Sequence, residues 1–344
     1  MIGPGHHTVP DGRAVHVVEI AGGGLRARVA TLGAALLSLE VPGPDGPADV
    51  ALGHAGLEDY VDDPAYLGVA IGRVAGRIGG ATVEVDGVRH ALGANDGAAT
   101  LHSGPSGLHS RVWEVAATAP DRVVLTTTSP DGEGGFPGTL RVRLAFSLAD
   151  GALALDWTAT TDRSTPVALT HHGYLHLDGH DAGSVRALTV QSDADRFVAL
   201  SPALVPTGEI LAVEGTPFDL RAPVPLGDVL DADDPQIEAA GGLDHDLLVP
   251  PHDGRQSDLR RVATVRGQAR AVEVWTTEPG VHLYAGGALD VGTGKGGARY
   301  GPFSGLALET QPPADATAHP GFPDIVLRPG DTFRSRTELR FSPS

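Results

Sequence analysis

Apolar residues recur at every second position along most of this chain, in runs that stop at glycine, proline and aspartate. The segments LRARVATLGAALLSLEV (25–41), ATVEVDGVRHAL (81–92), DRVVLTTTS (121–129), TLRVRLAFSLA (139–149), ALALDWTATT (152–161), VRALTVQS (185–192) and RAVEVWTTE (270–278) all have this form. Period-two alternation predicts half-buried strands. Between the runs, GPDGP, SPDGEGG, LADG and EPG supply turn chemistry. The chain holds 47 glycines and 27 prolines, too many helix breakers for a bundle. The pattern therefore predicts an all-β fold, a mostly antiparallel sandwich or barrel-like architecture with short helical turns such as GLEDYV (56–61). No fixed-period repeat, linker or low-complexity tract divides the chain, so residues 1–344 are expected to form one domain.

One alternating stretch is chemically unusual. In SGLALETQ (304–311), Leu306, Leu308 and Thr310 fall on one side of a strand and Gly305, Ala307, Glu309 and Gln311 on the other. Tiny residues followed by a carboxylate and an amide suit either a solvated edge or a face on which a ligand lies against the backbone.

Composition removes several function classes. Acidic residues outnumber basic ones 43 to 25, for a net charge of −18, which repels nucleic acid and anionic membranes. The absence of cysteine excludes disulfides, thiol nucleophiles and cysteine-ligated metal centres. The start MIGPGHHTVPDG has neither a basic nor an apolar leader region, and no run approaches the roughly 18 apolar residues of a membrane helix, so a cytoplasmic protein is expected. The only lysine, Lys295, in a basic complement otherwise made of arginine, reads as codon bias.

Fifteen histidines raise the question of a metal. Read as a strand, LTHHGYLHLDGH (169–180) places His172, Tyr174 and His176 on one face; the two histidines would then be roughly 13 Å apart, too far to share an ion. Neither an HExxH helix nor a cupin-like histidine and glutamate pattern is present, and solvated or structural histidines are the ordinary reading. A glutamate and a histidine on strand faces can instead divide the work of acid and base.

The order GVAIGRVAGRIGGATVEVDG, LHSG, THHGYLHL, GLDHDLLV and LYAGGALDVGTGKGGARYGPFSGLALETQPPADATAHPGFPDIVLRPGDTF resembles the aldose 1-epimerase (galactose mutarotase) family, from about residue 15 to 342. The resemblance implies a large antiparallel β-sandwich, the galactose mutarotase-like supersandwich, with an open cleft and no cofactor or metal. It implies interconversion of the α and β anomers of a free sugar. By motif, Glu309 of LETQ takes the position of the base and His172 of HHGYLHL that of the acid. Arg73 of GRVAGRI, His102 of LHSG and Asp244 of GLDHD match sugar-binding positions, with Tyr174 and Gln311 close by. Taken singly, these have plain structural readings: Arg73 a surface ion pair, Asp244 a turn residue, Tyr174 a core aromatic. The implied partner is a small-molecule sugar bound by a monomer or homodimer.

The chain departs from the family pattern near the same site. Gly76 and Ala99 replace asparagines, LHSG carries Ser103, His176 replaces asparagine, and the segment usually written QLYTGN is HLYAGG, with His282 and Gly287. A changed polar wall alters which hydroxyls are read. Two other readings therefore stand beside a galactose or glucose epimerase: the same pair acting on a different hemiacetal or modified sugar, and a carbohydrate-binding protein without turnover. Glycoside hydrolysis needs two flanking carboxylates, for which only Glu309 and Asp244 are available.

Overall fold

Asp-Gly turns set the architecture. Asp150 and Gly151, at φ 49° and 75°, join Leu140–Ala149 to Ala152–Thr161, and Asp86 and Gly87, at 50° and 76°, join Thr82–Val85 to Val88–Ala91. Two successive residues in the left-handed region give the tight hairpin whose twist matches its strands. The protein is described here from a computed structural model covering residues 2–250 and 258–344, in which antiparallel sheets are the dominant regular structure.

Three sheets dominate. A nine-stranded sheet runs in the order Glu114–Ala119, Arg122–Ser129, Leu140–Ala149, Ala152–Thr161, Phe333–Pro343, Arg270–Thr276, Arg260–Arg266, Thr189–Ser192 and Val224–Pro225. A six-stranded sheet has the order Tyr174–Leu175, Leu306–Thr310, Gly280–Tyr284, Asp244–Leu248, Arg196–Leu200 and Pro206–Ala212. Near the N-terminus, strands from Gly5–Thr8 to Ala48–Asp49 make a five-stranded meander. Leu144, Leu155 and Leu339 of the first sheet, Leu247, Leu283 and Leu308 of the second, and Ala27 and Leu39 of the third belong to one buried cluster. That shared core is the sandwich predicted by the alternation.

Two predicted strands are interrupted. The 25–41 run divides into Leu25–Ala30 and Leu36–Val41 around Gly33 and Ala34, both at positive φ. The 169–180 run yields only Thr170–His171, paired with Ala70–Ile71, and Tyr174–Leu175, paired with Ala307 and Leu306. His172 and Gly173 lie between these pairings, so His172 is set by a change of partner rather than by a continuous strand. Helix is confined to short pieces such as Glu58–Tyr60 and Pro235–Ala240. Among the described residues no helix is long and apolar enough to cross a membrane.

The lone lysine has a structural task. Buried Lys295 donates from Nζ to Asp49 Oδ2 and to the carbonyls of Leu37 and Ala51, while Asp49 Oδ1 accepts the N–H groups of Leu39 and Ala51. The turn that delivers it needs Gly296 and Gly297 at φ 63° and 84°. Removing one partner strands a buried charge. Lys295→Met should lower the unfolding free energy by about 3–5 kcal/mol in urea denaturation; a loss below about 1 kcal/mol, the level of an exposed pair, would show that the clamp contributes little.

Candidate active site

The polar face of the six-stranded sheet is built by register. Asp246 lies opposite His282, and His282 lies opposite Glu309 on the next strand. Two residues along, Asp244 faces Tyr284, Tyr284 faces Ala307, and Ala307 faces Tyr174. Alternation sends both rows to the same side, while Leu247, Val281 and Leu308 turn into the core. Asp244, Asp246, His282, Tyr284, Glu309 and Tyr174 line a cleft of about 220 Å³. Sites for drug-sized ligands span roughly 300–1,000 Å³, so this one suits a single small molecule. A larger hollow of about 720 Å³ over the nine-stranded sheet is lined chiefly by arginines and threonines, with Glu114 as its only carboxylate and no histidine among the described residues.

Loops complete the cleft. His172 is held at its backbone, donating its N–H to Val69 O and accepting at its carbonyl from Gly68 N–H. Its Nε2 stands 3.5 Å from Glu309 Oε1. His102 meets the His172 ring edge-on, with centroids 5.3 Å apart. Gly76 N–H donates to His102 Nδ1 at 3.2 Å, which leaves Nε2 to carry the ring proton. Tyr174 is fixed by its hydroxyl, which donates to Ala65 O. Gln311 lines the cleft beside Glu309, and its Oε1, like Glu309 Oε2, is buried without a hydrogen-bond partner among the described residues.

The arginine expectation needs correction. Arg73 lies outside the cleft, buried in a cradle of chain. It donates from Nε to Ser129 Oγ, from Nη1 to the carbonyls of Pro137 and Gly138, and from Nη2 to those of Ser129 and Pro130. Those bonds leave it nothing to offer a ligand. Four residues on, Arg77 lines the cleft, bonded to Asp96 at 2.6 Å and 3.7 Å from Asp244 Oδ2. Gly76, at φ 74°, turns the chain between the two. Sequence reasoning also passed over Asp246 and Tyr284, although alternation in DHDLL and GVHLY places each on the face of a residue it had named or noted.

A family model described as aldose 1-epimerase matches residues 16–340. Galactose mutarotase from Bos taurus is 38% identical over 323 residues, covering 92% of this chain and 91% of that one. Aldose 1-epimerase from Escherichia coli K12 is 32% identical over 340 residues, covering 96% of each. Among solved structures, a GalM/aldose epimerase homologue from C. elegans superposes with a TM-score of 0.89 at 31% identity, covering 96% of this chain and 99% of that one. The chain belongs to the aldose 1-epimerase family.

Charge in this aldose 1-epimerase family cleft is governed by burial. Desolvation raises the Glu309 carboxyl to about 8, opposed by the nearby His282 and reinforced by Asp244 and Asp246. Burial lowers His172 to about 3, and the charge of His282 adds to this. His102 is pushed well below the ordinary value, chiefly by burial. Asp244 goes the other way: burial would raise it, but the hydrogen bond and charge of His282 bring it below the usual carboxylate value. His172 and Glu309 thus hold one proton between them at neutral pH, resting on the carboxyl.

His102, His172 and Glu309 also bring three donor atoms within 4.8 Å of one another. Two imidazoles and a carboxylate are ligand types suited to zinc. Ligands of a single zinc lie about 3.3 Å apart for bonds near 2.0 Å, so the trio would have to contract to hold one, using the atoms that share the proton.

Two experiments follow from this geometry. Burying Glu309 uncharged raises its folded-state pKa, which stabilises the fold below the unfolded value of 4.5 and loses that contribution as pH rises through about 8. Glu309→Gln should therefore be more stable than wild type by a growing margin between those values, reaching a few kcal/mol above pH 8; a margin independent of pH contradicts the assignment. Arg73→Ala should cost about 3–5 kcal/mol of stability. Arg77→Ala should leave the melting temperature within a few degrees and instead weaken sugar binding, read as a rise in KM.

Proposed function

We propose that the cleft interconverts the α and β anomers of a free aldose, galactose or glucose being the first to test, with Glu309 as base and His172 as acid. The observation that carries this reading is the 3.5 Å approach of His172 Nε2 to Glu309 Oε1 in a small, buried polar cleft. Membership of a family whose relatives are named galactose mutarotase and aldose 1-epimerase supports it.

The reaction needs two proton transfers and no net change. Glu309 takes the proton of the anomeric hydroxyl, the C1–O bond to the ring oxygen breaks as the carbonyl forms, and His172 protonates the ring oxygen. The aldehyde turns about its C1–C2 bond, and the same steps in reverse close either anomer. The cyclic sugar reacts with a carboxylate and an imidazolium, so the proton resting on Glu309 first passes to His172, 3.5 Å away; the open aldehyde accompanies a carboxyl and a neutral imidazole. Burial favours the uncharged pair, so it opposes that first transfer and returns the same energy as the ring opens, leaving the open aldehyde matched to the resting pair. Asp244 and Arg77 would hold hydroxyls through the stronger, charged hydrogen bonds, with the neutral His102 and Gln311 beside them.

A second reading, a different hemiacetal or modified sugar, is favoured by the altered wall. A Cβ on Gly76 would come within 2.5 Å of the Ala314 Cβ, so the space an asparagine side chain would enter is already filled.

Relaxation of freshly dissolved α-galactose and α-glucose, followed by polarimetry or proton NMR, tests the proposal. Wild type should accelerate it, with Glu309→Gln and His172→Asn each reducing kcat by about 10²–10⁴-fold. Near-full activity in either variant removes that residue from its role, and inactivity of wild type on both sugars with turnover of another aldose favours the second reading. A coupled pair needing one proton should work across neutral pH and fail as pH rises through about 8. A profile falling instead through the ordinary histidine value near 6.5 would contradict a shared proton.

A further inference from the structure

His282 occupies the middle of the row formed with Asp246 and Glu309, and both ring nitrogens are engaged. Nε2 lies 2.7 Å from Asp244 Oδ1 and Nδ1 lies 3.0 Å from Asp246 Oδ1. A neutral imidazole has one N–H and would set its other nitrogen lone pair against a carboxylate oxygen. Protonation of either aspartate would relieve that clash, but both accept or face cations elsewhere. Asp246 Oδ2 accepts the Ala314 N–H at 3.0 Å, its Oδ1 lies 3.4 Å from Gln311 Nε2, and Asp244 Oδ2 faces Arg77.

We infer that His282 is a fixed imidazolium bridging Asp244 and Asp246, a positioning residue that aims Asp244 Oδ2 into the cleft and sets the protonation range of the Glu309–His172 pair. Burial by itself would lower its pKa, yet the hydrogen bonds and charges of the two aspartates hold it well above the ordinary histidine value. The other titratable or charged groups around it are Glu309 on the neighbouring strand, Tyr284 on its own strand, His245 between the two aspartates, and Arg77, His102 and His172 from the loops. With Arg77, the bridge balances both aspartates, leaving Glu309 as the carboxyl of this wall without a cationic partner among the described residues.

The glutamine expected at this position would offer hydrogen bonds without charge. Replacing the cation by an amide should raise the proton affinity of both Glu309 and His172, because each feels the positive charge of His282. Both limbs of the pH profile should therefore move upward. A residue that only packed would leave the limbs where they are.

The consequences for turnover rest on the proposed anomer interconversion, whereas the charge on the ring can be measured without any substrate. In ¹⁵N NMR of the wild-type protein, one histidine should keep both ring nitrogens protonated at pH 9, and its signals should be missing from His282→Gln. If every histidine is neutral by that pH, the bridge is overturned whatever the activity. In the anomer assay, His282→Gln should raise KM about tenfold, as expected for losing roughly 1.4 kcal/mol of aimed hydrogen bonding. Its alkaline limb should move up by about one pH unit. An unmoved limb overturns the electrostatic role. An NMR cation in a protein without turnover on any aldose keeps the bridge and counts against the proposed reaction alone.

Discussion

Strand register is the constraint on which the cleft depends. Asp246, His282 and Glu309 come from positions 246, 282 and 309, and they meet only because three adjacent antiparallel strands hold them directly opposite one another. A slip of one residue in any of these strands would turn its polar residues into the core and its leucines into the cleft. Leu247, Val281, Leu283, Leu306 and Leu308 resist that slip, since each buried aliphatic side chain contributes roughly 1.5–3 kcal/mol. The apolar face thus fixes the geometry of the polar face, and the site needs no stabilising energy of its own to stay in register.

Burial then decides the electrostatics. In water Glu309 would be ionised at pH 7 and His172 would titrate just below that pH; in the cleft, desolvation moves both toward their neutral forms. The same low dielectric would make two further carboxylates costly. His282 and Arg77 match Asp244 and Asp246 charge for charge, and Asp244 is held below the usual carboxylate range where Glu309 prefers its proton. Acceptors with fixed charge and a proton carrier with adjustable charge can therefore sit side by side on one sheet.

Much of this was legible in the sequence, for reasons that differ residue by residue. Period-two alternation is local, so the strands, and the sharing of one face by Ala307 and Glu309, could be read without knowing what they packed against. Glu309, His172, His102, Asp244, Tyr174 and Gln311 all come to one cleft because each sits in a motif whose order the chain keeps. Arg73 and Arg77 could not be separated in that way. They stand four apart in GRVAGR, and the difference between them is made by the carbonyls of residues 129–138, which capture Arg73, and by the left-handed turn at Gly76, which frees Arg77. His282 was visible as a departure, but its bonds run to residues 36 and 38 positions away and are set by register alone. Lys295 was read as codon bias because Asp49, its partner, is 246 positions away.

The departures from the family pattern look different once their neighbours are known. Ser103 uses its hydroxyl to accept from Val74 N–H and donate to Val74 O, tying the His102 turn to the segment that ends in Arg77. Ala314 fills the space beside Gly76, and its N–H is bonded to Asp246, so the same residue closes one wall and steadies the bridge. His282 stands where a neutral amide is usual and is clamped at both nitrogens. Gly76 and Ala99 remove amides without replacing them, while Ser103 and His282 bring polar groups that are tethered. A tethered, charged wall makes fewer but stronger and more directional contacts than a set of amides. On the proposed reaction, a sugar in this cleft would be selected by how its hydroxyls meet Asp244 and Arg77, and discrimination should lie in the stereochemistry at those positions rather than around the whole ring.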